Sequence, residues 1–307
     1  MTDPGARGDG GGDPGTRSFR LHEHPWLVLV AVPAFEVLAI LVVGSLFGVL
    51  ALPDSPAMGV LRETSFHLLF VLVFAPFVLR LPGGRQPLAD YLDEIRLTRI
   101  RPLGRLLLLG GSCYLLLALC QAAGVVVYRL TLGEPLTAGF LLGVVDVSGA
   151  LPPGSWGLLV ALPAALEEVT FRGVLLFALL HRFPERRAVV ASAAAFGLIH
   201  LINLPLGPGH APVWVFGQVG WATLMGLFYA DVVLRSDSLL PAMLVHYLGN
   251  AFVGSITTYL QATAPVETQA LYGVLFTFGL VPATLLVLWA RFFCSRWLPG
   301  GRDARPT

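Results

Sequence analysis

Eight long apolar segments dominate this 307-residue sequence and leave little choice of fold. A helix needs roughly 20 apolar residues to cross about 30 Å of bilayer hydrocarbon, and each segment approaches or exceeds that length. Hydrophobic residues make up 55% of the chain and charged residues only 13%, which is too apolar for an ordinary soluble domain. We therefore predict an all-α polytopic membrane protein with about eight transmembrane helices. Their approximate limits are 26–50, 65–81, 103–128, 156–180, 188–204, 212–234, 239–259 and 270–293.

The regions outside these segments predict a simple domain organisation. Residues 1–18 are rich in Gly, Asp and Pro and bury too little surface to order, so a disordered cytoplasmic tail is expected. Residues 19–298 are expected to form one transmembrane helical domain, followed by a cytoplasmic C-terminal tail at 299–307. The charged loop 82–102 predicts an amphipathic helix in the membrane interface, with a docking surface as the alternative. The apolar patch at 138–145 is too short to span and is expected to be re-entrant or interfacial.

Arginine placement gives an independent indication of orientation. All 20 basic residues are Arg, and with a cytoplasmic N-terminus 17 of them fall on the cytoplasmic side of the eight predicted spans. Only Arg62 and Arg129 lie in outside loops, and Arg172 lies within a span. This asymmetry predicts a multi-pass protein of the cell membrane with both termini in the cytoplasm. The formal net charge of +1 gives no indication of nucleic-acid binding.

Ionisable and polar residues interrupt three of the apolar segments. A charge in hydrocarbon costs several kcal/mol, so an intramembrane carboxylate is by default a functional-site hypothesis. The motif residues are seven: Glu167, Glu168 and Arg172 on the fourth predicted helix, His200 on the fifth with the aromatic Phe196 four positions before it, and His246 and Asn250 on the seventh. A spacing of four places each pair on one helix face. Glu168 and Arg172 can therefore form an intrahelical ion pair, whereas Glu167 is rotated about 100° away and lacks that partner.

These residues are expected to meet at one depth of the membrane. At 1.5 Å per residue, Glu167 and His200 each lie about 20 Å from the cytoplasmic ends of their helices. A carboxylate in an apolar cavity can act as a general base on water, with His200 positioning that water. His246 and Asn250 are suited to donate hydrogen bonds to an oxyanion. The set contains no Ser or Cys nucleophile, so hydrolysis of a peptide bond by activated water is predicted.

The ordered set of three motifs resembles the signature of the CAAX protease and bacteriocin-processing family of intramembrane proteases, also called the abortive-infection family. The resemblance covers roughly residues 105–293, with its core at 156–259. Within this family the sequence is similar to the type 2 CAAX prenyl proteases. It implies an eight-span helical protease domain with a conical cavity. It also implies that Glu167 and His200 activate water, that His246 and Asn250 stabilise the transition state, and that Glu168, Arg172 and Phe196 support the site. The implied partners are the lipid bilayer and a membrane-associated or lipidated peptide or protein substrate.

Several alternatives stay open at this stage. His200, His246 and Glu167 are three residue types that can bind zinc, although a metal-independent glutamate mechanism is favoured because the sequence lacks an HExxH motif. A proton-coupled transporter also uses intramembrane Glu and His, and a catalytically silent scaffold or immunity protein would keep the same fold. Asn203 is a candidate for supporting His200. By contrast, His67, His181 and His210 are expected to contact headgroups or solvent, because they lie near span ends.

Overall fold

The structure, a computed structural model, describes residues 21–53, 55–80, 87–145, 159, 161–206, 211–252, 259–260 and 262–298. Across this part of the chain every regular element is helical. The first five helices are α1 (Pro25–Val49), α2 (Pro56–Leu69, continued by a π-helical turn at Phe70–Val78), α3 (Leu88–Glu94), α4 (Leu103–Thr131) and α5 (Ala138–Val145). The prediction of an all-α membrane protein is confirmed. The tails at 1–18 and 299–307, residues 156–158 and 160 of the fourth predicted span, residues 253–258 of the seventh and His210 lie outside the described residues.

The second half of the chain contains the helices that carry the motifs. These are α6 (Leu162–Glu168, then π-helical at Val169–Leu175 and α-helical at Leu176–Leu180), α7 (Glu185–Ile199, followed by a 3-10 turn at His200–Ile202), α8 (Asn203–Leu206), α9 (Pro212–Ser236), α10 (Leu240–Ala251), α11 (Val266–Tyr272, continued at Gly273–Thr277) and α12 (Leu280–Trp297). The π-helical stretch begins directly after Glu168. Such turns are frequently found at functional sites because they change the register of side chains along a helix.

Within the described residues, five helices are long and apolar enough to cross a membrane. They are Pro25–Val49, Ala57–Val78, Leu103–Thr131, Pro212–Ser236 and Val266–Trp297. They correspond to five of the eight predicted spans. The three other predicted spans are those that carry the motifs, and they are observed as α6, α7 and α10. In the described residues these helices are shorter or more charged than a lipid-facing span, which fits helices that surround a polar site.

Helix α9 forms the centre of the second half. It packs against α7, α10, α11 and α12, while α10 lies against both α4 and α6. Close approach of α7 and α9 depends on Gly197, because a Cβ at this position would lie 2.7 Å from the carbonyl oxygen of Val219. This packing brings the cavity-facing sides of α6, α7 and α10 together. The motifs separated by up to 83 positions, from Glu167 to Asn250, can therefore share one site.

The charged loop is more firmly attached to the protein than the sequence indicates. A helix is present here, α3, and it packs against the protein: Tyr91 is buried and its hydroxyl donates to the carbonyl oxygen of Val71 at 3.0 Å. Arg96 and Arg99 both bind Asp237, the left-handed residue that ends α9. The Arg99 guanidinium also holds the pKa of the Asp93 carboxyl below its usual value. This segment therefore fixes the turn between α9 and α10.

Candidate active site

A fully buried ion pair lies at the centre of the three motif helices. Glu168 and Arg172 are both 0% exposed, and Arg172 Nε lies 3.3 Å from Glu168 Oε2. The guanidinium carbon sits 4.1 Å from the ring centroid of Phe196 and 5.2 Å from that of Tyr229. Gly226 makes room for it, because a Cβ there would come within 2.9 Å of Arg172 Nη2. The ion pair predicted from the spacing of four is present, and aromatic rings on α7 and α9 enclose it.

The ring of His246 is held by Glu168 and by two aromatic rings. Its Nδ1 lies 2.7 Å from Glu168 Oε1. Since an ionised carboxylate only accepts hydrogen bonds, Nδ1 carries the proton of this contact. One face of the imidazole stacks on Tyr229 at a centroid distance of 5.1 Å and an angle of 20°, and the ring of Phe196 meets it edge to face at 5.9 Å. Nε2 is thereby directed towards Glu167, whose Oε2 is 3.9 Å away.

Glu167 lies in a different environment from its neighbour Glu168. Its side chain is 30% exposed, and its contact with His246 Nε2 is longer than a hydrogen bond. Glu167 lines a large cavity of about 770 Å³ and also a smaller one of about 200 Å³. His200 and Gln218 line both cavities as well. The rotation of Glu167 away from Arg172 therefore places its carboxylate where water and a substrate can reach it.

The tautomer of His200 follows from its backbone contact. Nδ1 lies 2.8 Å from the carbonyl oxygen of Phe196, one helical turn earlier. A carbonyl oxygen only accepts, so Nδ1 is the protonated nitrogen and Nε2 of the neutral ring keeps its lone pair. The ring of Phe196 also contacts His200 edge to face at 5.2 Å. The four-residue spacing of this motif thus fixes both the tautomer and the orientation of the imidazole.

Asn250 lies at the open side of the smaller cavity. It is exposed, and its Nδ2 donates to the carbonyl oxygen of His246 at 3.3 Å. A side-chain amide has two N–H donors, and this contact uses one of them. The other is available to a group inside the cavity. The structure therefore brings all four predicted catalytic residues, Glu167, His200, His246 and Asn250, to the walls of the same small cavity.

Comparison with known proteins gives one match. Residues 150–252 match a family described as type II CAAX prenyl endopeptidase Rce1-like. The match supports the resemblance to the CAAX protease family, and we call residues 150–252 the CAAX protease segment. The matched segment covers about a third of the chain and contains all seven motif residues. No curated protein and no solved structure matches the chain.

Among the described residues, no group of three or more His, Cys, Asp and Glu side chains is placed to hold a metal ion. His200 and His246 each have Nδ1 engaged by a protein oxygen, which leaves Nε2 of each ring for any further partner. The zinc set considered from the sequence, Glu167, His200 and His246, stays a prediction. The chemistry below is derived from the side chains of the chain itself.

A second buried polar cluster lies outside the CAAX protease segment and was missed by the motif analysis. Glu36 on α1 and His67 on α2 are 2% and 3% exposed, with Oε1 and Nδ1 2.8 Å apart. The prediction that His67 contacts headgroups or solvent is wrong, because α1 and α2 pack together and enclose it. Thr170, within the first motif, donates to Glu36 Oε2 at 3.5 Å. Both Glu36 and His67 line the large cavity opposite Glu167, so the N-terminal helices complete its wall.

Two other residues show what spacing alone does not reveal. Tyr229 carries no motif signal, yet it stacks on His246 and lies beside Arg172, because α9 packs against both α6 and α10. Asn203, considered as a support for His200, instead donates to Gln218 Oε1 at 2.9 Å. His181 forms a hydrogen bond with Glu94 at 3.0 Å. Of the three histidines expected near span ends, the structure describes two, and of these His181 is exposed and His67 is buried. The role of Tyr229 could not be predicted, because in the sequence of an apolar span an aromatic residue that contacts the site looks the same as one that only packs.

Proposed function

We propose that this protein is an intramembrane endopeptidase in which Glu167 activates the attacking water. One observation carries the proposal: of the two adjacent glutamates, Glu168 is fully enclosed by Arg172 and His246, whereas Glu167 stays partly exposed where the two cavities meet. A buried carboxylate that is neutralised by a cation is a poor base. A carboxylate that faces an apolar cavity without a cation at hydrogen-bond distance is a good one.

The reaction begins with a water held between Glu167 and His200. Glu167 accepts one proton of the water, and the lone pair on His200 Nε2 accepts a hydrogen bond from the other, which orients the oxygen. The oxygen attacks the carbonyl carbon of the substrate and forms a tetrahedral intermediate. Glu167 then transfers its proton to the departing nitrogen, and the C–N bond breaks. The products are a carboxylic acid, which passes its proton to the amine or to solvent on release, and an amine, and Glu167 is regenerated.

His246 and Asn250 supply the donors for the oxyanion. The Nδ1–H of His246 is bound by Glu168. In the proposed mechanism Nε2 also carries a proton, and this Nε2–H donates a hydrogen bond into the smaller cavity, which the ring lines. The free N–H of Asn250 donates from the same wall. Donors that are fixed before the reaction stabilise developing charge without the cost of reorganisation.

The proposal is tested with purified protein reconstituted in liposomes. Fluorescence-quenched apolar peptides and single-span membrane proteins serve as substrates, and mass spectrometry locates new termini. We expect cleavage, and we expect it to persist after metal has been removed by chelation and dialysis. Proton-linked uptake without any cleavage would support the transporter alternative and contradict the proposal. Loss of cleavage on chelation with recovery on adding zinc would replace the glutamate mechanism by a metal-dependent one.

Asn250→Ala should lower kcat by about 100-fold, which is the usual effect of deleting one oxyanion donor. KM should change little, because the interaction forms mainly in the transition state. Asn250→Asp is the matched variant: it keeps the size of the side chain but replaces the donor by a carboxylate, and should be at least as slow. Steady-state kinetics on one cleaved peptide measure both. An Asn250→Ala protein with unchanged kcat would remove Asn250 from the oxyanion site.

Tyr229→Leu should lower kcat about fivefold, because the ring stacked on His246 is worth about 1 kcal/mol beyond its buried area. Tyr229→Phe keeps the ring and should retain most of the activity. The comparison separates the stacked ring from the hydroxyl group, which no part of the proposed mechanism uses. Equal losses in Leu and Phe variants would show that the hydroxyl, and not the ring, matters.

A further inference from the structure

Two side-chain amides form a pair beside the proposed catalytic residues. Asn203, the first residue of α8, donates from Nδ2 to Oε1 of Gln218 on α9 at 2.9 Å. Both side chains are half-buried, and both line the large cavity together with Glu167 and His200. Gln218 also lines the smaller cavity and so lies at the junction of the two. The pair belongs to no part of the mechanism above.

The shared hydrogen bond leaves each amide with one unused end. Asn203 keeps the acceptor Oδ1, and Gln218 keeps the N–H donors of Nε2. If the two amides were flipped together, the pair would still present one acceptor and one donor side by side. That arrangement is complementary to the N–H and C=O of a peptide backbone. Such a pair binds main chain irrespective of the side chains that the substrate carries.

A substrate of this cavity has a particular need for such partners. Much of the wall is apolar, with Leu41, Phe66 and Ile202 among the lining residues. Cleavage requires the substrate to be extended, so its backbone groups lose the hydrogen bonds of a membrane helix. Each backbone group left unbonded in an apolar setting destabilises the bound peptide. A donor and an acceptor next to the reacting groups offset that cost where the peptide must be held.

We propose that Asn203 and Gln218 form a main-chain clamp that binds the N–H and the C=O of one residue of an extended substrate next to the scissile bond, since these two groups point to the same side of an extended chain. Asn203 Oδ1 accepts from the substrate N–H, and Gln218 Nε2 donates to the substrate carbonyl oxygen. This inference rests on the proposed peptidase function for its substrate class. The clamp binds substrate and does not take part in bond breaking.

Binding to a Glu167→Gln background tests the clamp separately from the chemistry. The probe is a fluorescein-labelled apolar peptide of Leu, Ala and Gly residues, and fluorescence polarisation in detergent measures Kd. Each backbone amide is replaced in turn by an ester, which removes one N–H. We expect one position at which the ester weakens binding by roughly tenfold, the effect of one lost hydrogen bond. Adding Asn203→Leu should weaken binding of the all-amide peptide to a similar extent and abolish the difference between amide and ester at that position.

Gln218 provides the matched control. Gln218→Glu keeps an acceptor for Asn203 but removes the donors, and should weaken binding of the all-amide peptide by roughly tenfold while the ester penalty persists. The same ester penalty with and without Asn203→Leu, or no penalty at any position, would overturn the clamp. Failure of the wild-type protein to cleave a peptide that it binds would contradict the peptidase function instead, and leave the clamp result standing.

Discussion

Glu167→Gln should abolish peptide cleavage, with a fall in kcat on the order of 10⁴-fold, near the upper end of what one general base contributes. The substitution preserves the shape of the side chain and removes its basicity. Folding should be unaffected, because Glu167 is partly exposed and its contact with His246 Nε2 is 3.9 Å, too long for a hydrogen bond. Kinetics of the purified variant, together with its thermal unfolding, measure both effects. Normal turnover by Glu167→Gln would contradict the assignment of Glu167 as the general base.

The neighbouring glutamate is the matched control. Glu168→Gln should also lose activity, but through a different cause: it leaves the Arg172 charge buried without its carboxylate and deprives His246 of its partner. The free energy of unfolding should therefore fall in Glu168→Gln and not in Glu167→Gln. If Glu168→Gln were inactive but as stable as the wild type, and Glu167→Gln active, the two roles would be exchanged.

The sequence predicted the local features of this site and missed those that arise from packing. The Glu168–Arg172 pair follows from a spacing of four on one helix, and it is present. The contact between His246 and Glu168 joins residues 78 positions apart and depends on how α10 packs against α6. No helical periodicity encodes that packing. The contact of His246 with Glu168 therefore could not be predicted from residue spacing.

A charged residue within an apolar segment would have indicated one part of the site that the motifs did not. Glu36 interrupts the first apolar segment just as Glu167 interrupts the fourth, and by the same reasoning it should have been a candidate. The motif resemblance directed attention to the second half of the chain and away from it. His67 was assigned to a span end from its sequence position. Its burial could not be predicted, because it depends on the packing of α1 against α2. The matched CAAX protease segment alone thus lacks part of the cavity wall.

Helix lengths show a related limit. For the five spans found by length and hydropathy, most helix ends lie within a few residues of the predicted limits. The exception is the second helix, which begins at Ala57 and not near 65. The motif helices α6, α7 and α10 are less regular. In α6 the π-helical turn begins directly after Glu168 and includes Arg172, and α7 gives way to a 3-10 turn at His200. These irregularities occur where polar side chains meet, and average propensities do not anticipate them.

Arg172→Ala should lower the free energy of unfolding by about 3–5 kcal/mol, the usual cost of removing one partner of a buried ion pair. Glu168 would then remain fully buried with only His246 beside it, and the space between Phe196 and Tyr229 would be empty. Thermal unfolding in mild detergent, with activity measured at a temperature where the variant stays folded, checks the prediction. Arg172→Lys is the matched variant: it keeps the charge but not the planar group that lies between the rings, and should fall between Ala and wild type.

A double variant separates stability from catalysis at this pair. Replacing a buried ion pair by apolar residues of similar size is often neutral or stabilising, so Arg172→Leu with Glu168→Leu should recover much of the stability lost in Arg172→Ala. Activity should not recover, because His246 Nδ1 would have lost the carboxylate that fixes its proton and its orientation. A stable and active double variant would show that the pair serves folding alone. A stable and inactive one would show that Glu168 acts on the reaction through His246.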